Sequence, residues 1–236
     1  HCTVDFSVNP KYYNPDLQSE IDSYANSGEY EIVTLKELQS KGILTVSRGV
    51  EGGSDSYGTG EIPFVRTSEV ANWEITSDCT HCVAEDIYLQ YKDKQDVETE
   101  DILVVNDGTY LMGRTAMVTQ ADVKMVFQSH FRRIKIHDKE SLSPYLLLAM
   151  LGLEIVQKQI ESKAFRQGTL STLGSRLMDV KIPIPTNPNI RKKIASDVES
   201  IMKNKNDAKE IAQAYVIKGL QENLMGIKNK AKIGNL

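Results

Sequence analysis

Apolar residues in this chain fall into three patterns, each predicting a different element. Short apolar runs end in polar clusters. Ile62, Phe64 and Val65 lead into Arg66, Thr67 and Ser68; Ile102 to Val105 lead into Asn106, Asp107, Gly108, Thr109 and Tyr110. Both predict strands with hydrogen-bonding tips, the way a scaffold presents a recognition surface. In Gln128–Ile136, QSHFRRIKI, polar residues alternate around Phe131, Ile134 and Ile136, which predicts a half-buried strand, with Gln128, His130, Arg132 and Arg133 readable either as one solvated strand face or as a cluster suited to DNA. Leu146, Leu147, Ala149, Met150, Leu153, Val156 and Ile160 predict a helix over Tyr145–Phe165, opened by Ser143-Pro144. From Asn189 to Lys228 apolar residues recur at mixed three- and four-residue steps. That predicts one long amphipathic helix, or two broken near Asn204–Asn206 or Gly219.

The intervening segments carry shorter signals. Asp16–Tyr24 reads as a helix with Asn14 or Asp16 at its cap and Pro15 in its first turn. Ile32–Lys41 reads as a second helix, capped by Thr34 with Glu37 three residues on and ended by Gly42. A strand is expected at Ile43–Arg48, then a flexible surface loop over Gly49–Gly60. That loop has five glycines but lacks the Gly-Lys-Ser/Thr ending of a phosphate-binding loop. Asp86–Lys92 predicts a helix, Arg114–Gln120 and Val123–Phe127 strands. Val180–Ile184 predicts a strand stopped by Pro183 and Pro185, and Asn187–Asn189 a linker.

With 236 residues, 40% hydrophobic and 25% charged, the chain can bury a real core. No apolar run approaches the roughly 18 residues of a membrane span, and the N-terminus carries no signal-peptide pattern. We expect no membrane association and a prokaryotic cytoplasmic location. Three cysteines, Cys2, Cys79 and Cys82, form no disulfide framework, which fits a reducing compartment. His1 stands where an initiator Met would, as in a fragment or excised domain. The net charge of −4 argues mildly against nucleic acid. The distribution argues the other way. Glu69–Asp101 is strongly acidic, whereas Arg114–Lys135 is basic and Lys158–Lys193 sets eight basic residues against Glu161 and Asp179.

Catalysis finds no foothold. There is no G-x-S-x-G elbow, and His1, His81, His130 and His137 lack an evident Ser or Asp partner. Cys79-Thr-His81-Cys82 is too tight for paired zinc ligands, so no metal site is expected. Asn9-Pro10-Lys11-Tyr12 approaches the Asn-Pro-Pro-Tyr signature of amino-group methyltransferases. Lys11 breaks it, and no glycine-rich cofactor turn precedes it, so no S-adenosylmethionine site is expected in this chain. The polar tips admit two readings. Arg66–Ser68 suits a capped helix start, and Asp107-Gly108 suits a hairpin turn. The same residue types also suit DNA: Arg for guanine edges and phosphates, Asn and Gln for adenine, Ser and Thr for phosphates.

Taken in order, GEIPFVRTSEVANWEI, DILVVNDGTYLMGRTAMVT, VFQSHFRRIKI and PYLLLAMLGLEIVQKQIESKAFRQGTLSTLGSRLMDVKIPIP resemble the target-recognition domain of type I restriction-modification specificity subunits. They are similar also to the C-terminal domain of some adenine-specific DNA methyltransferases. The resemblance runs over most of Asp5–Lys193, and the long helix, polar turn and IPIP are its most specific part. It implies an α+β fold: a mixed, curved-sheet target-recognition domain over residues 1–187, then a long coiled-coil-like helical spacer over 188–236. It further implies double-stranded DNA as ligand and a methyltransferase subunit or fused methyltransferase domain as partner, with S-adenosylmethionine bound there. A restriction or translocase subunit and a homodimer through the C-terminal helix complete the expected partners. Specificity subunits carry two such domains and two spacers, whereas this chain has one of each. A dimerising half-subunit, a tail of a fused methyltransferase and an excised piece all remain open.

The residues expected to contact bases or backbone are Arg66, Thr67, Ser68, Asn106, Thr109, Arg114, Gln128, His130 and Arg132. Arg166, Gln167 and Thr169 are expected at phosphates, with Arg48 and Tyr57 joining from the Gly-rich loop. Ile194, Val198, Ile201, Ala208, Tyr215, Leu220 and Leu224 are expected to carry a seam with a partner helix. The rival reading is a protein-binding scaffold that assembles a complex through its C-terminal helix.

Overall fold

A computed structural model describes residues 14–52, 54–76, 79–108, 110–167 and 170–233. The chain opens with α1 (Pro15–Asn26), where Asn14 Oδ1 accepts the Asp16 N–H at 3.0 Å and Pro15 takes the first turn. Next come β1 (Tyr30–Thr34) and α2 (Leu35–Ser40). Thr34 ends one and caps the other: its Oγ1 accepts the Glu37 N–H at 3.1 Å, and Glu37 Oε2 accepts the Thr34 N–H at 2.8 Å. The helix expected from Ile32 therefore starts three residues later. Strand pairing takes Ile32 and Val33 instead. Gly42 follows at φ +72°, a left-handed helix exit.

Strands β2 (Leu44–Arg48), β3 (Phe64–Val65), β4 (Val70–Ala71) and β5 (Glu74–Ile75) precede α3 (Glu85–Gln95). Then come β6 (Ile102–Val105), β7 (Asp107–Gly108), β8 (Thr115–Met117), β9 (Val126–Phe127) and β10 (Phe131–Ile136). The central sheet is antiparallel, in the order β2-β10-β6-β8. Its register aligns Arg48, Arg132, Val104 and Thr115 across the four strands. Every residue of β6 is buried, as an inner strand covered on both faces requires. One core cluster joins Leu103, Val105, Ala116, Phe127 and Phe131 to Val65, Val70 and Ile75. A satellite core of Val50, Ile62, Phe64, Val83 and Val126 lies beside the Gly-rich loop.

Strand β10 departs from its expected half-buried pattern. Phe131 and Arg133 are buried on one face and Ile134 and Ile136 on the other, so both faces of this strand are covered. Asp107-Gly108 is not a hairpin turn either. It pairs as β7 with Ser171 and Thr172, more than sixty residues away, through a long-range contact that no local signal encodes.

The helix expected over Tyr145–Phe165 is two: α4 (Pro144–Leu151) and α5 (Glu154–Lys163), broken at Gly152 and Leu153. Phe165 lies instead in β11 (Phe165–Gln167), which pairs with β12 (Leu170–Thr172) and, through it, with β7. β13 (Lys181–Pro185) keeps both prolines inside the strand. It can do so because it pairs only with β1, as an edge strand. Asn187 is a cap and not a linker: its side chain accepts the Asn189 N–H at 2.9 Å, and α6 (Pro188–Ile233) begins. α6 is one continuous helix. The chain forms two compact units that divide between Ser196 and Asp197. Among the described residues no helix is long and apolar enough to cross a membrane.

Candidate nucleic-acid interface

One end of the central sheet gathers most of the predicted residues. Antiparallel strands put the last residues of β2 and β6 beside the first residues of β10 and β8. The Gly49 N–H donates to the Phe131 carbonyl at 3.4 Å, Phe131 pairs with Val105, and the Val105 N–H donates to the Arg114 carbonyl at 2.9 Å. Arg48 and Arg114 thus mark opposite edges of one sheet end, three strand spacings or about 14 Å apart. Gln128 joins them: its N–H donates to the Val65 carbonyl at 2.9 Å, which sets Arg66 next to it. The Gly-rich loop enters here under tight constraint. A Cβ on Gly49 would lie 2.1 Å from the Gln128 carbonyl oxygen, so only glycine allows the approach, and Val50 bridges to Gln128. The start of this loop is therefore anchored and not free.

The cation pair at this end is its main electrostatic feature. Arg48 Nε donates to the Ser129 carbonyl at 3.1 Å, and Arg132 Nη1 donates to the Phe131 carbonyl at 3.3 Å and reaches toward Ser129. Burial pulls the Arg132 guanidinium below its ordinary pKa; Asp107 opposes that shift and Arg48 adds to it. Two like charges held side by side repel one another, and an anion placed between them would relieve that cost. Among the described residues Arg48 has one carboxylate partner, the exposed Glu51 at 3.3 Å. Arg66, Arg114 and Arg132 have no ion pair among the described residues. Several other basic residues are held by carboxylates. Lys124 pairs with Glu85 at 2.8 Å, Lys135 with Asp96 and Glu98 at 2.7 Å each, and Lys139 with Glu100 at 2.7 Å. Lys158 pairs with Glu20 and Glu154, and Arg191 with Glu31. Arg133 is 5% exposed and pairs with Asp101 at 3.2 Å, so it does not belong to the solvated strand face expected for it. Carboxylates of the acidic stretch thus pair with Lys124, Arg133, Lys135 and Lys139, and none of them pairs with Arg66, Arg114 or Arg132 among the described residues.

Asp107 organises the polar centre. Its Oδ1 accepts from Asn106 Nδ2 at 2.9 Å and from Thr172 Oγ1, and its Oδ2 lies 3.7 Å from His130 Nδ1. The backbone N–H groups of Asn106 and Asp107 both donate to the His130 carbonyl, at 2.8 and 3.1 Å. Asn106 is fully buried and, as it stands, shapes this surface without reaching it. His130, Arg132 and Gln128 are half-buried and Arg114 is exposed. Thr67 and Ser68 sit in a short 3-10 turn, where Glu69 Oε2 accepts the Arg66 N–H at 2.7 Å; that part of the cap reading holds. Tyr57 packs its ring on Phe64, with centroids 5.1 Å apart, at the fringe of the satellite core. Arg166 and Gln167 pair as β11 with Ser171 and Leu170, which leaves their backbone separated from β7 by β12. Thr109 and Thr169 lie outside the described residues.

Sequence reasoning passed over Asp107 as a side-chain hub, Thr172, and Trp73, the one tryptophan of the chain. Only the tryptophan, placed directly after a polar strand tip, offered a signal. On α6, Ile201, Ile211 and Tyr215 are exposed at 43%, 59% and 73%, Ala208 is exposed, Ile194 is half-buried and Val198 is buried. The side chains of Leu220 and Leu224 lie outside the described set. Among the described residues no cluster of His, Cys, Asp and Glu is placed to hold a metal ion.

The Type I restriction modification DNA specificity domain family matches residues 27–214. Among solved structures, the chain is similar to the type I restriction-modification system S subunit from M. genitalium. The TM-score is 0.52 at 15% identity, over 75% of this chain and 40% of that one. The HsdS subunit from Thermoanaerobacter tengcongensis gives 0.44 at 13% identity, over 83% and 45%. A structure described for complex assembly and conformational transition of the type I R-M system gives 0.48 at 16%, over 85% and 47%. The chain spans less than half the length of each of these proteins. No curated protein matches it. The first structure supports the α+β fold, and the family match extends over well more than half the sequence: the chain belongs to the type I restriction-modification DNA specificity domain family.

Proposed function

We propose that the sheet end carrying Arg48, Arg66, Arg114, Gln128, His130 and Arg132 grips double-stranded DNA and reads a target sequence. In this reading the domain adds no chemistry of its own. It positions an adenine methyltransferase, in cis or in trans, and a restriction subunit on the site, in the prokaryotic cytoplasm. S-adenosylmethionine is bound by the methyltransferase. The exposed apolar residues of α6, Ile201, Ile211 and Tyr215, meet a partner helix, including that of a second copy. One observation supports the DNA reading above the others. Two guanidinium groups, those of Arg48 and Arg132, lie side by side at the Ser129 carbonyl, and Arg132 has no ion pair among the described residues, whereas Lys124, Arg133 and Lys135 are held by carboxylates. Phosphate contacts of this kind position a protein on the duplex, and neighbouring amides and hydroxyls read base edges.

The test is duplex binding by the full chain, read by anisotropy of a labelled random-sequence duplex. Arg132→Glu is expected to weaken binding by about tenfold or more, from charge reversal at a phosphate contact. Lys139→Glu, away from the sheet end, is expected to change it less than about twofold. Equal losses in both variants would remove the sheet end from the DNA surface.

A further inference from the structure

A groove of about 310 Å³ opens beside Arg114, lined by Asn72, Trp73, Gly152 and Gln157 among others. It lies at the β8 edge of the same sheet end. Asn72 and Trp73 form the two-residue loop between β4 and β5, and both have positive φ, +52° and +69°. A tight hairpin needs that conformation at both positions, and Asn accepts it readily. A bulky aromatic residue accepts it poorly. Glycine would serve the turn better, so the turn alone gives no reason for tryptophan.

The backbone of Trp73 is fixed from below: its carbonyl accepts the Met117 N–H at 3.0 Å, and it bridges to Ala116. One edge of the indole lies over Gly152, where a Cβ would sit 3.6 Å from Cζ2. The ring is half-buried, and its N–H has no hydrogen-bond partner among the described residues. The Arg114 guanidinium likewise has none. Gln157 Nε2 is engaged by the Gly113 and Leu151 carbonyls, at 3.1 and 2.7 Å, and so braces the wall. The groove therefore offers a cation, an indole N–H, an exposed asparagine amide and an aromatic surface. Such a set fits a ligand that is anionic, rich in acceptors and carries a ring.

Resting on the DNA reading above, we infer that this groove takes one backbone nucleotide of the bound duplex. Its phosphate lies on Arg114 and its deoxyribose packs on Trp73. The occupant is DNA because the groove opens at Arg114, and the backbone pairing that runs from Gly49, next to Arg48, through Phe131 and Val105 to Arg114 sets it at the same sheet end as the other cations.

Trp73 is the only tryptophan in the sequence, so its emission reports on this groove alone. The full chain is titrated with an unlabelled random-sequence duplex while Trp73 emission and acrylamide quenching are followed. Binding is measured in parallel by anisotropy of the labelled duplex. The expected result is an emission change with the same midpoint as the anisotropy, and a fall in quenching of at least about twofold, as for an aromatic ring covered by a nucleotide. Arg114→Ala should lower the salt slope of binding by about one. Binding with unchanged Trp73 emission and quenching, or an unchanged slope in Arg114→Ala, overturns the groove assignment and leaves the DNA reading standing. No anisotropy change with wild-type protein overturns both.

Discussion

Arg132 and Arg133 are neighbours in sequence and opposites in role. β10 turns one to each face. Arg133 points to the side where Asp101 waits at 3.2 Å, and its Nη1 also donates to the Asp96 carbonyl, with Nε on Ser47 Oγ at 3.2 Å. Burial pushes the Asp101 carboxyl above its ordinary pKa, against the pull of the Glu98 N–H and Arg133. Arg132 faces the other way, beside Arg48, without an ion pair among the described residues. The same residue type thus serves as an internal brace in one place and as an open cation in the next. Buried pairs cost desolvation and hold structure only while both members remain. A cation without a carboxylate partner, set beside a second one as Arg132 is beside Arg48, keeps its charge for an anionic ligand that relieves the repulsion.

The largest expected effect sharpens this contrast. Arg133→Ala leaves Asp101 buried without its cation and should destabilise the protein by about 3–5 kcal/mol in urea unfolding. Arg132→Ala should change stability by less than about 1 kcal/mol. Equal losses in the two variants would erase the distinction. Next in size is Gly49→Ala. The added methyl collides with the Gln128 carbonyl, and the expected loss is about 1–3 kcal/mol, with weaker duplex binding because Arg48 and Gln128 are forced apart. Normal binding and stability in this variant would show that the sheet end tolerates the shift.

The smallest effect concerns pH at the braced side. The Lys135 ammonium, hydrogen-bonded to Asp96, holds that carboxyl below its usual range. A lowered carboxylate stabilises the fold above its unfolded pKa, about 3.9, and loses that contribution as pH falls through the folded value. Asp96→Asn should therefore lower stability slightly at neutral pH and flatten the acid limb of the stability profile. It should leave duplex binding unchanged. An unchanged acid limb would remove Asp96 from the account.

How much of this was legible depended on the range of the contact involved. Thr34 and Glu37 lie three residues apart, and their capping box was readable because both partners fall in one window. The apolar runs at Phe64–Val65 and Ile102–Val105 were readable as strands because burial selects their composition. Asp107-Gly108 looked like a turn because its strand partner, Thr172, lies far along the chain. Arg133 looked exposed because Asp101, which buries it, lies 32 residues away. Gly152 broke a helix whose apolar pattern runs straight through the break. The basic segments looked like a continuous surface because a linear reading cannot tell a paired lysine from an open one. The candidate site came into view only with long-range strand pairing, antiparallel in the central sheet and parallel between β3 and β9, which brings separate segments to one sheet end.

The central claim is that the cations at this sheet end hold DNA phosphates. It is tested most directly by the salt dependence of duplex affinity in the wild type and in the Arg48→Ala/Arg132→Ala double variant. The logarithm of affinity should fall linearly and steeply with the logarithm of salt in the wild type, and the slope should be shallower by about two in the double variant. A wild-type affinity indifferent to salt, or an identical slope in the double variant, would contradict it.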